Sequence, residues 1–227
     1  MNSKMRFLQI GALSVIFLLS ACGGGKQPKG DKLSEMPAKH ESNANQPPQG
    51  SNKDIQQLHN SLAENFSHKE IVILEHPYQL AEASKIEFEQ VIDAYLQLKD
   101  AFVQDDKLSV QKASKLMAEK VAAVIPTKLE GEGLEAWHNH QAVYLTRLKV
   151  MQHIKGLETN RTYFSHISEI LYCTIKSFGL KKGNLFATFC PMAFDGKGAY
   201  WISDSKTIQN PYFGSKMPTC GEVKEEL

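Results

Sequence analysis

The sequence has little of what announces most functional classes. Its one sustained apolar run, residues 10–19, is about half of the ~20 residues that a bilayer-spanning helix needs, so a permanent transmembrane span is not expected. An excess of charge is also missing. Lys and Arg number 26 against 25 Asp and Glu, a net of +1, which gives no field for nucleic acid. There is no internal repeat, no Gly-Xaa-Ser-Xaa-Gly elbow, no phosphate-binding loop and no His-Glu-Xaa-Xaa-His. His153 and His166 have no carboxylate at a catalytic spacing. His138 and His140 are two apart on a helix and point to different faces, so they do not chelate one metal together. With no nucleophile or acid/base arrangement in view, the chain is not expected to be an enzyme. Cysteine is sparse, four in 227 residues, and the position of each one matters.

The first cysteine closes a targeting pattern. Lys4 and Arg6 precede the apolar run, and Leu19-Ser20-Ala21-Cys22 follows it. A positive segment, an apolar segment and small residues before a cut are the parts of a secretory signal. A cysteine placed at the cut resembles the lipobox of bacterial lipoproteins. That resemblance implies cleavage before Cys22, acyl chains on its sulfur and on the new N-terminus, and a stable membrane anchor, which takes two or more chains. The soluble part is then expected in the periplasm of a Gram-negative cell envelope. Residues 23–52 are rich in Gly, Lys, Pro, Ser, Asn and Gln with almost no large apolar residue, the composition of a disordered tether. Met36, His40, His59, His68 and His76 show no regular ligand spacing and read as ordinary polar linker residues. The division expected is a signal peptide at 1–21, a lipidated cysteine and flexible tether at 22–75, and a folded domain at 76–227. Within residues 54–74 the periodicity is mixed, with a short strand at Ile71-Val72-Ile73-Leu74.

Helical periodicity dominates from Ile86. Phe88, Val91, Tyr95, Leu98 and Phe102 recur at three- and four-residue spacing, the signature of one buried helix face. Asp105-Asp106 breaks and caps. Val110, Ala113, Met117, Val121 and Val124 make a second stripe, ended by Pro126. Gly131 and Gly133 are placed in a loop. Leu134, Trp137, Gln141, Leu145, Leu148 and Met151 make a third stripe, closed by Gly156. Thr159 reads as the N-cap of a fourth helix with Phe164, Ile167, Leu171 and Phe178 inward and Gly179 at its C-terminal end. Asp93, Asp100 and Glu89 read as a solvated face. Four amphipathic helices with short connections predict a mainly α fold, an antiparallel four-helix bundle. After Gly183 the residues become β-prone: residues 185–189 and 199–202 flank the turn Asp195-Gly196-Lys197-Gly198, a small C-terminal hairpin in which Tyr200 and Trp201 pack. Asn210-Pro211-Tyr212-Phe213-Gly214 is a further turn.

Soft sulfur collects in this last segment. Cys190 and Met192 flank Pro191, and in an extended strand they project to one face. Met217 and Cys220 flank Pro218 at a spacing that a turn converges. Two thiolates and two thioethers form a donor set that selects Cu(I) over hard cations, and the adjacent prolines limit loop motion. The same spacing also allows a Cys190–Cys220 disulfide that staples the tail to the hairpin, with both methionines as core filler. Cys173, on the fourth helix, reads as a buried, inert thiol; it becomes a third sulfur ligand only where the hairpin packs against it.

The stretch Cys190-Pro191-Met192-Ala193-Phe194-Asp195-Gly196-Lys197-Gly198-Ala199-Tyr200-Trp201, with Asn210-Pro211-Tyr212-Phe213-Gly214-Ser215-Lys216-Met217 and Cys220-Gly221-Glu222-Val223, resembles a family of uncharacterised bacterial envelope domains. Members occur in lipoproteins and fused to periplasmic adaptor subunits of copper/silver efflux systems. The likeness runs more loosely upstream through Tyr95, Leu96 and Leu98 and through Arg161, Phe164 and Ser168. Relatives often carry a histidine just before the phenylalanine of the fourth helix, where this chain has Tyr163. The resemblance implies copper handling, with a metal efflux adaptor as partner, and no assigned activity. Two functions follow as expectations: an envelope lipoprotein that binds Cu(I) through Cys190, Met192, Met217 and Cys220, or a disulfide-stapled interaction module without a metal site.

Overall fold

The structure, a computed structural model, describes residues 62–68 and 73–227. The lipobox-like residues 19–22, the tether with Met36, His40 and His59, and Ile71 and Val72 lie outside the described residues. Ile73 and Leu74, the described half of the expected short strand, are in no strand. The described residues all fall in the second of two units, Pro48–Leu227.

Four long helices follow one another: α1 (Glu82–Val103), α2 (Lys107–Ala123), α3 (Gly131–Met151) and α4 (Leu157–Phe178). Three strands come after them, β1 (Phe186–Cys190), β2 (Ala199–Ser203) and β3 (Glu222–Glu226), with a single helical turn, α5 (Ala193–Gly196), between the first two. The fold is therefore mainly helical, with a small antiparallel sheet of strand order β2-β1-β3 at its C-terminal end. Each long helix packs on the next, and α4 also packs on β2.

Local chemistry sets the boundaries. Asp105 takes a φ of 55° after α1, and the Asp106 carboxylate accepts the Leu108 and Ser109 amides at 3.0 and 3.1 Å, satisfying two orphan donors of α2. Gly179 ends α4 in the left-handed region at φ 57°, where a glycine pays no side-chain penalty. Two helix starts differ from the sequence expectation. Gly131 and Gly133 belong to the first turn of α3 and not to a loop, and Gly133 is buried because the Tyr78 ring occupies the place of a side chain. Gly156 is the N-cap of α4, in extended backbone at φ −93° and ψ 128°. Thr159 thus lies inside the helix, since the chain has already entered the cap conformation before reaching it.

The stripes expected on α1 and α2 are buried throughout. On α3 the buried face is Trp137, His140, Tyr144, Leu148 and Met151, while Leu134, Gln141 and Leu145 are only partly covered. The helix is rotated this way because Tyr144 Oη and His140 Nδ1 each lie 3.1 Å from the Thr174 hydroxyl on α4. Residues 164–175 of α4 are buried without exception, so this helix runs through the core and does not float one face in water. Its polar residues bond inward: Ser168 Oγ meets Tyr95 Oη at 2.7 Å. Tyr200 and Trp201 are packed as expected, at 7% and 1% exposure.

Candidate functional site

The two cysteines of the C-terminal segment are brought together by the sheet. Cys190 is the last residue of β1 and is fully buried; Cys220 stands just before β3 and is partly open. Because Phe189 is registered against Glu222, the two thiols face each other, with their sulfurs 2.8 Å apart. Gly221 permits the approach. Its φ is 145°, and a Cβ there would lie 2.7 Å from the Trp201 ring and 3.1 Å from the Phe189 carbonyl. Asn210, wholly buried, fixes Cys220 from the other side by donating from Nδ2 to the Cys220 carbonyl at 2.6 Å.

The methionines are placed less symmetrically. β1 stops at Cys190 because Pro191 has no amide to continue the ladder. Met192 is then in αR backbone, and Phe194 and Asp195 follow in left-handed backbone, a conformation that costs non-glycine residues energy and marks sites held by their surroundings. The expectation that Met192 shares an extended-strand face with Cys190 is thereby corrected: Cys190 is 0% exposed and Met192 is 55% exposed. The Met192 backbone amide acts on the Cys220 thiol, favouring its thiolate. Met217 is half-buried, and its carbonyl accepts the Cys220 amide at 3.4 Å, closing the expected turn. Cys173 is 1% exposed in α4, and burial pushes its thiol well above the ordinary range, so it is chemically quiet. The Cys220 thiol is also raised, first by its hydrogen bond to Cys190 and then by burial, against the opposing Met192 amide.

Among the described residues, no group of three or more His, Cys, Asp or Glu side chains is placed to hold a metal ion, and no helix is long and apolar enough to cross a membrane. Two thiolates bound tetrahedrally to one ion at about 2.3 Å stand about 3.8 Å apart. The thiol pair at 2.8 Å would therefore open by about 1 Å to admit metal.

A second cluster was not foreseen. Glu169, 1% exposed on α4, accepts the Ser67 and His68 amides at 2.9 and 3.2 Å and bonds His68 Nδ1 at 2.5 Å. The His68 ring stacks on that of His166 with centroids 3.7 Å apart, and Arg147 Nε donates to His166 Nδ1 at 2.8 Å. The partners are about a hundred residues apart, and His68 sits in a segment whose composition reads as linker. The visible signal was an ionisable pair, His166 and Glu169, one turn apart on the fourth helix.

A family model described as Protein of unknown function (DUF3347) matches residues 91–183. The match covers most of the helical part and stops before Cys190. No curated protein matches the chain, and no solved structure matches it.

Proposed function

We propose that this chain is an envelope lipoprotein whose C-terminal dithiol takes a soft metal ion, Cu(I), as cargo, with Cys190 and Cys220 as thiolate ligands and Met192 and Met217 as thioether donors. In this reading Cys22 carries the lipid anchor, an efflux adaptor exchanges the metal, and the chain carries out no catalysis. The helices α1–α4 serve as an antiparallel four-helix bundle that holds the sheet, a reading supported by the packing of each helix on its successor. The observation that carries the metal reading is Met192. A disulfide staple needs that methionine only as core filler, yet it stands 55% exposed beside a paired thiol. An exposed thioether two residues from the buried Cys190 thiol is open to a soft metal ion, which thioether sulfur suits. Metal must displace thiol protons, and the raised Cys220 thiol makes affinity climb with pH, about tenfold per unit for each proton released.

The 2.8 Å sulfur separation favours a second reading, the disulfide-stapled interaction module, because it is nearer to the ~2.05 Å of a covalent S–S bond than to a shared-metal distance. Thiol counting separates the two. With Cys22 acylated, the unfolded chain isolated without reductant should titrate three thiols, Cys173, Cys190 and Cys220, and the native reduced chain should take up about one Cu(I). A single thiol, from Cys173, with no copper uptake after isolation assigns the staple instead.

A further inference from the structure

The two sulfurs at the end of the sheet are alike in chemistry and unlike in access. Cys190 ends β1 and is 0% exposed, whereas Cys220 stands before β3 and is partly open. An external reagent therefore reaches Cys220 and not Cys190. Cys173, 1% exposed within α4, is closed to it as well. The backbone of Cys220 is held on both sides. Its amide donates to the Met217 carbonyl at 3.4 Å, and its carbonyl accepts from Asn210 Nδ2 at 2.6 Å. The Cys190 sulfur lies behind it at 2.8 Å, about 0.8 Å longer than a covalent S–S bond. Joining the two asks for a small side-chain movement and no rearrangement of the sheet.

We propose that Cys190 and Cys220 form a redox-active pair that exchanges with external disulfides, with Cys220 as the entry sulfur and Cys190 as the resolving thiol. The activity uses the thiols that the metal reading uses, but it needs no metal. Thiol–disulfide exchange runs through a mixed disulfide, and access decides which sulfur forms it. In the first step the Cys220 thiol gives its proton to water and its sulfur attacks one sulfur of the external disulfide. A Cys220 mixed disulfide forms, the external S–S bond breaks, and the departing thiolate takes a proton from water. In the second step the Cys190 sulfur attacks the Cys220 sulfur. The Cys190–Cys220 bond forms, the mixed disulfide breaks, and the second external sulfur leaves with the Cys190 proton. Two protein thiols are oxidised and one external disulfide is reduced to two thiols, with no further oxidant. The reverse sequence, begun by an external thiolate at Cys220, reopens the pair. Cys190 approaches Cys220 from the interior while the incoming group sits on the solvent side, so nucleophile and leaving group oppose each other across Cys220. Because this second step is intramolecular between groups already in contact, it outruns the first, and the mixed disulfide does not accumulate.

The test uses the full chain in detergent, reduced, stripped of metal by a chelator and kept anaerobic. The native protein is mixed with glutathione disulfide, or with oxidised protein disulfide isomerase as a protein disulfide. Mass spectrometry should show a Cys190–Cys220 disulfide with no retained adduct, and one external disulfide reduced per chain. Dithiothreitol should reopen the pair while the helical circular dichroism signal stays unchanged. Cys190→Ser should stop at a stable adduct on Cys220, and Cys220→Ser should react only after unfolding. The faster of the two probes assigns the partner as a small disulfide or a protein. No exchange with either probe, or a parent chain that keeps the adduct, would overturn the proposal without recourse to a variant. So would a pair that dithiothreitol opens only in denaturant, or a folded Cys220→Ser chain whose Cys190 reacts as the parent does. Copper uptake is measured apart from these readouts, so a failed metal reading leaves them unchanged.

Discussion

The Asn210 side chain bonds in three directions. Its Oδ1 accepts the Tyr212 and Phe213 amides at 2.7 and 3.1 Å, and its Nδ2 donates to the Cys220 carbonyl at 2.6 Å. Its own amide donates to the Pro218 carbonyl at 2.9 Å. One residue thus ties the turn at 210–214 to the segment that delivers the Cys220 sulfur. A buried side chain with three partners contributes roughly 1 kcal/mol per bond, and deletion also strands the partners. Asn210→Ala should lower the unfolding free energy by about 2–4 kcal/mol, measured as a shifted urea midpoint at unchanged slope. Asn210→Asp should do at least as much, because a carboxylate has no donor for the Cys220 carbonyl. The sequence marked Asn210-Pro211 as a turn but gave no sign of this second role, since a side-chain bond ten residues away leaves no periodic trace. The pairing of Cys190 with Cys220 was legible because sulfur is rare in the chain. The exposure of Met192 was not, because it depends on where Pro191 ends β1.

The helices were legible because each of α1 and α2 buries one continuous stripe, and period 3.6 in apolar residues is what that burial requires. α4 was read only in part. Most of its polar residues are buried, and Ser168, Glu169, Tyr172 and Thr174 bond to groups outside the helix, so its pattern resembles a surface helix while its environment is core. β3 was missed for the opposite reason: Glu222, Val223, Lys224 and Glu226 are exposed, and an edge strand that buries so little shows no apolar alternation. Arg161 illustrates how the elements are joined. Buried at 3% exposure in α4, it donates to the Asp105 carboxylate between α1 and α2, to the Pro211 carbonyl at 2.9 Å and to Glu158 at 3.0 Å. Burial works against ionisation of Asp105, but the Ser215 amide and hydroxyl and the Arg161 guanidinium outweigh it and bring its pKa to about 2. Because the folded value is depressed, the stabilisation is complete above about 3.9, the ordinary aspartate value. It fades as pH falls toward about 2. Asp105→Asn should cost about 1–2 kcal/mol at neutral pH, a figure reduced for the partial exposure of the carboxylate. In the variant, stability should change less than in the parent over that acid window, as followed by circular dichroism at fixed urea.

At the scale of the whole molecule, the proposed lipoprotein has an acylated Cys22, a helical body and a sulfur-bearing sheet. The anchor is tested separately from the metal: Cys22→Ser should move the protein from the membrane fraction to the soluble fraction, and a variant that still partitions into detergent would remove the lipid anchor from the account. The metal claim rests on the thioethers, since the cysteines alone serve either reading. Met→Leu nearly preserves volume and apolarity and costs less than about 1.5 kcal/mol in a packed position, so a Met192→Leu, Met217→Leu double variant should fold like the parent. Competition for Cu(I) against a chromogenic chelator, under anaerobic and reducing conditions, compares the two proteins directly. The account predicts that the parent withdraws about one equivalent of Cu(I) and that the double variant binds at least tenfold more weakly, while Zn(II) binds poorly to both because thioether is a poor zinc ligand. Equal competition by parent and variant, or none by either, would contradict it.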